Sequence, residues 1–242
     1  MDKLLFEVSI GGIDDVILAQ KYGVDRIELN IGLRLGGLTP SLALCEKTRE
    51  LYDGTIIAMI RTRGGGFRYT EKEMKIHYRD IEILSPWVDG FVFGCLNEDL
   101  KIDKDILKKV RELTLTKKLA FHRAFDLVDD MDEAIKTLIE CKVDRVLTAG
   151  VKYSVNEGWE NLRYLQSSYG NDIEVLAGGG IVVENIIDMH QKTGITQFHG
   201  SLQGKMFDID TNNGVSYKIV AEENYYDCVD EAKLSEMIKL IK

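Results

Sequence analysis

Several signals that would narrow the function class are missing from this chain. Its four cysteines, Cys45, Cys95, Cys141 and Cys228, form no Cys-x-x-Cys pair. The spacing is not that of a disulfide scaffold, and free thiols suit a reducing compartment. No run of 18 apolar residues occurs, and no signal-peptide core follows Met1-Asp2-Lys3. A cytoplasmic location without a membrane partner is therefore expected. Basic side chains are also in deficit, 31 against 40 acidic ones, for a formal charge of -9. That balance argues against the basic footprint a nucleic acid needs, while leaving room for a local basic pocket. Finally, no Pro/Gly/Ser-rich linker divides the chain, so residues 1–242 read as one domain.

What is present is a rhythm. Short apolar runs, among them 4–8, 26–29, 55–60, 88–93, 119–122, 145–148, 174–177 and 197–199, alternate with segments of helical periodicity. Thr70 and Glu73 have the spacing of a capping box, Asp103 and Asp130 open helices, and a last helix starts near Asp230. Pro40 is placed near the first turn of the helix that begins at Ser41, and a further helix is expected over 182–192. Eight strand–helix units in 242 residues predict an α/β fold, a TIM-like (β/α)8 barrel, for which about 250 residues is typical. Val-Asp-Arg recurs at 24–26 and 143–145, where it is read as a turn with an ion pair at the lower face of the barrel.

A barrel gathers the ends of its strands around one mouth. Glu7, Glu28, Arg61, Arg63, His122, Arg123, Asp126, Thr148 and His199 occupy such ends, giving a pocket with both carboxylate and cationic walls. Arg61, Arg63 and Arg123 can clamp an anion with their forked donors. Gly178-Gly179-Gly180 precedes a predicted helix, an arrangement that lets backbone amides approach phosphate. Gly64-Gly65-Gly66 lets the third loop bend, with Phe67 and Tyr69 closing on an apolar portion of a ligand. His122 is the first choice for general acid/base work because an ordinary imidazole titrates near neutral pH. Glu28 or Glu7 is its partner, and Asp126 orients an imidazole or an arginine. His77 is expected on the exposed face of a polar helix.

Three stretches, 36–41, 60–69 and 121–126, resemble the CutC family, the copper homeostasis proteins. Arg145-Val146-Leu147-Thr148-Ala149-Gly150, Ala177-Gly178-Gly179-Gly180-Ile181 and Phe198-His199-Gly200-Ser201 add to the resemblance, which runs in order through nearly all eight units. It implies a TIM-like barrel, a homo-oligomer such as a dimer, and copper as a cofactor or cargo. Against that family's pattern, Ser9 and Asn30 stand where cysteine is common, removing two soft ligands that Cu(I) prefers. A harder metal could use Glu7, Glu28, His122 and His199. Alternatively, the glutamates pair with arginines and the histidines only satisfy hydrogen bonds. The reading favoured by the residues is a small anionic or phosphorylated ligand, held by the arginines, the glycine loop, His199 and Ser201. Enzyme activity is left open, and a noncatalytic copper-binding protein is the alternative.

Overall fold

The computed structural model describes residues 3–207 and 225–242. Eight parallel strands form one closed barrel, each hydrogen-bonded to the next and the eighth to the first. They are β1 (Leu5–Ile10), β2 (Arg26–Leu29), β3 (Thr55–Met59), β4 (Gly90–Phe93), β5 (Lys118–Phe121), β6 (Arg145–Thr148), β7 (Glu174–Gly178) and β8 (Gln197–Gly200). Between them run α1 (Ile13–Tyr22), α2 (Leu42–Leu51), α3 (Glu71–Leu84), α4 (Lys104–Thr114), α5 (Met131–Glu140), α6 (Val155–Tyr169) and α7 (Ile186–Thr193). After β8 an antiparallel pair, β9 (Gln203–Phe207) and β10 (Tyr225–Val229), precedes α8 (Glu231–Ile241). The expected α/β, TIM-like barrel in a single domain is thus the fold observed. No helix among the described residues is long and apolar enough to cross a membrane.

Helix starts follow local chemistry. Thr70 and Glu73 form the reciprocal capping box. Asp103, Asp130 and Asp230 each accept backbone N–H groups of the first turn, a contribution of about 1 kcal/mol per cap. Ser41 caps α2, so Pro40 lies just before the cap instead of within the first turn. The seventh helix begins at Ile186, not 182. Asn185 delays it, accepting from the Val182 N–H and donating to the Gly180 carbonyl. The glycine loop therefore feeds a turn, not a helix N-terminus.

The apolar residues divide into two compartments. Most fill the shell between sheet and helices, including Phe6, Ile27, Phe91, Phe121 and Phe198. A separate island of Ile57, Met59, Val92 and Ala120 lies on the inward side of β3, β4 and β5. The inward side of β1, β2 and β8 is instead polar, and β6 and β7 add Arg145 and Glu174 beside Leu147 and Leu176. Arg26 and Arg145 of the repeated Val-Asp-Arg are part of it, both buried. Their partners are Glu7 and Glu174, so the ion pairs of the repeat's arginines run across neighbouring strands. Asp144 keeps the turn role, accepting the Leu119 N–H and pairing with Arg111 and Lys118.

Candidate functional site

The lower lumen is a chain of charge. Arg26 Nε donates to Glu7 (2.5 Å) and its Nη2 to Gln197 (2.9 Å); Gln197 donates to Glu174 (3.2 Å), which also accepts from Arg145 (2.6 Å). Glu7 is thus in the lower layer, below the mouth. Burial works against its charge, but Arg26 and His199 outweigh it and hold Glu7 well below the usual carboxylate range. Its second oxygen accepts His199 Nδ1–H at 2.8 Å.

Above this layer opens a cavity of about 400 Å³ walled by Ser9, Glu28, Met59, Arg61, Phe67, His122, Arg123, Gly179, Gly180, His199 and Ser201, with Leu33, Gly36, Leu147 and Gly200 completing it. Eight of the residues expected at the mouth meet here: Glu28, Arg61, His122, Arg123, Gly179, Gly180, His199 and Ser201.

Glu28 comes from the inward side of β2, two residues after Arg26. Ser9 Oγ (3.0 Å) and Asn30 Nδ2 (3.2 Å) both donate to its Oε1. Burial raises its pKa, Glu7 adds to that, and His199 and these hydrogen bonds oppose it; the net direction is up. Ser9 and Asn30, positions that in the family pattern suggest cysteine, therefore serve to orient a carboxyl group.

His199 also has a raised pKa. Burial opposes its charge, but the Glu28 carboxylate and the hydrogen bond to Glu7 prevail. The donor atoms of Glu7, Glu28 and His199 lie within 4.8 Å of one another, the one such trio among the described residues. Both oxygens of Glu7 are already engaged, by Arg26 and by His199. The trio stands as an ion-paired cluster, and His122 is not part of it.

His122 departs from the premise that made it an acid/base candidate. Burial, reinforced by the charge of Arg61, pushes its pKa down to about 3, so the ring is neutral at physiological pH. Its Nδ1 accepts the Ala124 N–H at 3.2 Å, which places the proton on Nε2. That Nε2 is buried and has no hydrogen-bond partner. Gly94 makes the position possible: a Cβ there would lie 2.3 Å from His122 Cε1. Phe67 packs on the other side, with ring centroids 4.6 Å apart.

The three arginines have separate fates. Arg61, only 4% exposed, donates to the carbonyls of Leu35 (2.7 Å), Gly37 (3.2 Å) and Gly65 (2.7 Å), and its Nε has no partner. It pairs with neither Glu7 nor Glu28. Arg123 follows β5 in a short 3-10 turn, Arg123–Leu127, where Asp126 receives its Nε at 2.7 Å. Its Nη2 reaches the carbonyls of Lys152 and Tyr153, and a Cβ at Gly179 would lie 2.8 Å from Nη1. The glycine, at φ 107°, is what lets the guanidinium lie on the loop. Arg63 points away from the cavity, to Glu73 on α3 (2.5 Å).

Of the other expected residues, Asp126 and Thr148 stand behind Arg123. Thr148 Oγ1 donates to Asp126, as do the N–H groups of Ala149 and Val151, so Asp126 orients an arginine and not an imidazole. Gly178 lies within β7, where any Cβ would meet Leu147 at 2.5 Å and His199 Cβ at 3.1 Å. His77 is fully buried, its Nε2 accepting the Thr62 N–H, and its pKa falls to about 4 through burial. The exposed position expected for it is wrong because α3 turns that face toward the loop after β3. Gly94, Met59 and Leu147 were not anticipated. Gly94 carried a signal all the same, since it directly follows the apolar run of β4.

No three cysteines gather as a metal site among the described residues, although Cys95 and Cys141 reach the neighbouring carbonyls of Asp103 and Lys104. Among the described residues all four are free thiols, on α2 (Cys45), beyond β4 (Cys95), at the end of α5 (Cys141) and on β10 (Cys228). Burial pushes Cys45 up to about 12 and Cys95 well above its ordinary value, which disfavours the thiolates a soft metal binds.

Residues 4–204 match the model of the CutC family. A CutC family protein of Mesorhizobium japonicum is 39% identical over 81% of this chain and 76% of its own length. The human copper homeostasis protein cutC homolog is 36% identical over 81% of this chain and 72% of its own. The crystal structure of the CutC protein of Streptococcus agalactiae superposes with a TM-score of 0.78, at 29% identity over 82% of this chain and 98% of that one. With the barrel, the mouth residues and these matches in agreement, the chain belongs to the CutC family.

Proposed function

We propose that this protein binds a small anion, a phosphorylated or carboxylated metabolite, in the cavity at the barrel mouth, and that it acts on this ligand as an enzyme. The observation that carries the reading is Arg61. Its guanidinium is buried at the cavity wall, balanced by three carbonyl oxygens and no carboxylate, with Nε left unpaired. A buried charge without a counter-charge is costly, and an anion in the cavity relieves it. Arg123, with its side chain 39% exposed and backed by Asp126, supplies a second guanidinium at the rim. The loop at Gly179-Gly180, bent at φ 107° and 91°, completes the wall beside it.

Copper enters through the names of the relatives, and the donor set here does not suit Cu(I). None of its four thiols lines the cavity and burial raises the pKa of each, while the cavity offers carboxylate, hydroxyl and imidazole groups instead. The test is a thermal-shift titration of the full chain with phosphorylated metabolites, 2-oxo acids and anaerobic Cu(I). A saturable shift from an anion, at least tenfold weaker in Arg123→Ala, supports the reading. A stoichiometric Cu(I) shift with no response to any anion overturns it.

A further inference from the structure

The cavity holds three groups whose joint placement goes beyond anion capture. Glu28 presents a carboxyl group whose Oε1 is fixed by Ser9 and Asn30. His122 is locked in one tautomer by the Ala124 N–H, so its Nε2–H is a neutral donor with no partner in the protein. Arg123 stands at the rim against Gly179. A wall that combines an oriented carboxyl group, an orphan N–H donor and a cationic anchor matches the needs of one reaction class. A carbonyl compound anchored through its anion has its oxygen polarised while a carboxylate removes the neighbouring proton.

We propose, resting on the anion-binding reading, that the ligand is a small anionic carbonyl compound and that the protein exchanges the proton on the carbon next to its carbonyl, with Glu28 as base and His122 Nε2–H as donor to the oxygen. The step balances within the ligand and Glu28. The C–H electron pair becomes the C=C bond of an enolate, the carbonyl π pair moves to oxygen, and the proton resides on Glu28. Return of that proton, or of one from water, to the same carbon gives exchange. For a hydroxy ketone, return to the other carbon, with the hydroxyl proton passing to the former carbonyl oxygen, gives isomerisation. No oxidant or metal is consumed. A neutral imidazole suits the donor role because an uncharged donor keeps the enolate basic enough to be reprotonated. Burial, which holds the Glu28 carboxyl above the usual range, brings its basicity closer to that of the task. Phe67 overlies the His122 ring at the cavity wall.

The experiment incubates the full chain in D2O with dihydroxyacetone phosphate in one arm and 2-oxobutyrate in the other. It follows loss of the α-proton signal by NMR and measures binding on the same samples by thermal shift. Expected is exchange in the arm whose probe binds, slowed by about 10³-fold in Glu28→Gln and about 10²-fold in His122→Gln. Cys228→Ser, outside the cavity lining, leaves it unchanged. Glu28→Asp keeps the carboxyl group and should retain part of the rate, which guards against misfolding of the isostere. Binding without exchange, or exchange that survives Glu28→Gln, overturns the proton-transfer inference while anion binding stands. Absence of both binding and exchange in both arms overturns the inference and the reading beneath it.

Discussion

Two levels of the same barrel lumen are built from the same residue types and end in opposite states. In the lower level Glu7, Arg26, Gln197, Glu174 and Arg145 answer one another in a chain of hydrogen bonds, with only Arg145 Nη1 left over. In the upper level Arg61 lacks a carboxylate, His122 Nε2 lacks an acceptor and burial raises the pKa of Glu28. His199 bridges the two, bonded to Glu7 below and lining the cavity above. The difference separates roles that composition cannot. Polar groups that satisfy each other specify structure, whereas unpaired polar groups around a cavity are what the proposed anion would satisfy.

The sharpest way to break this comparison is to empty one half of the lower level. Arg26→Ala leaves Glu7 charged and buried, and should lower stability by about 3–5 kcal/mol in urea unfolding. A loss under about 1 kcal/mol would mean that the lower level is as loosely satisfied as the upper. Next in size is Gly94→Ala, whose added Cβ meets His122 Cε1 at 2.3 Å. Overpacking of this kind costs about 1–3 kcal/mol, and it should abolish the anion-induced thermal shift by displacing the ring. Gly66→Ala, where a Cβ meets nothing within 4 Å, is the control, with a change within about 0.5 kcal/mol.

The third effect is smaller per histidine and pH unit, and it depends on pH. His77 and His122 have folded pKa values lowered to about 4 and about 3, below the value near 6.5 of an unfolded chain. Between those limits the unfolded state binds the extra proton, so stability falls as pH drops from about 6.5 toward 4. Each histidine contributes up to about 1.4 kcal/mol per pH unit in that window. His199, with its raised pKa, acts in the opposite sense, and its share is lost only as pH rises through its folded value. Urea midpoints measured from pH 7 to pH 4.5 should show the slope reduced by one proton in His122→Gln. An unchanged slope would remove the neutral imidazole from the upper level.

Much of the site was legible before folding. Arg61, His122, Arg123, His199 and the glycines at 179 and 180 all follow apolar runs, and a barrel brings strand ends together whatever its chemistry. The split among the three arginines was not legible. Arg63, two residues from Arg61, leaves for Glu73 because the loop after β3 turns it outward. Arg26 read as the first residue of a strand and as one half of an ion pair whose partner was not named; its two-residue spacing from Glu28 puts both on one face of β2. His77 read as exposed because α3 is polar in composition, yet the ring enters a space closed by Tyr69 and Phe93.

By itself the sequence determined the period of the elements, the caps at Thr70, Asp103, Asp130 and Asp230, and hence the barrel and its family. These depend on neighbours a few residues apart, which a linear reading contains. Only the tertiary structure decided which buried charges neutralise each other, that His122 is a neutral donor, and that Ser9 and Asn30 orient Glu28. Those outcomes arise from desolvation and from contacts between strands far apart in the chain, such as Glu7 with His199, and neither is encoded in local spacing.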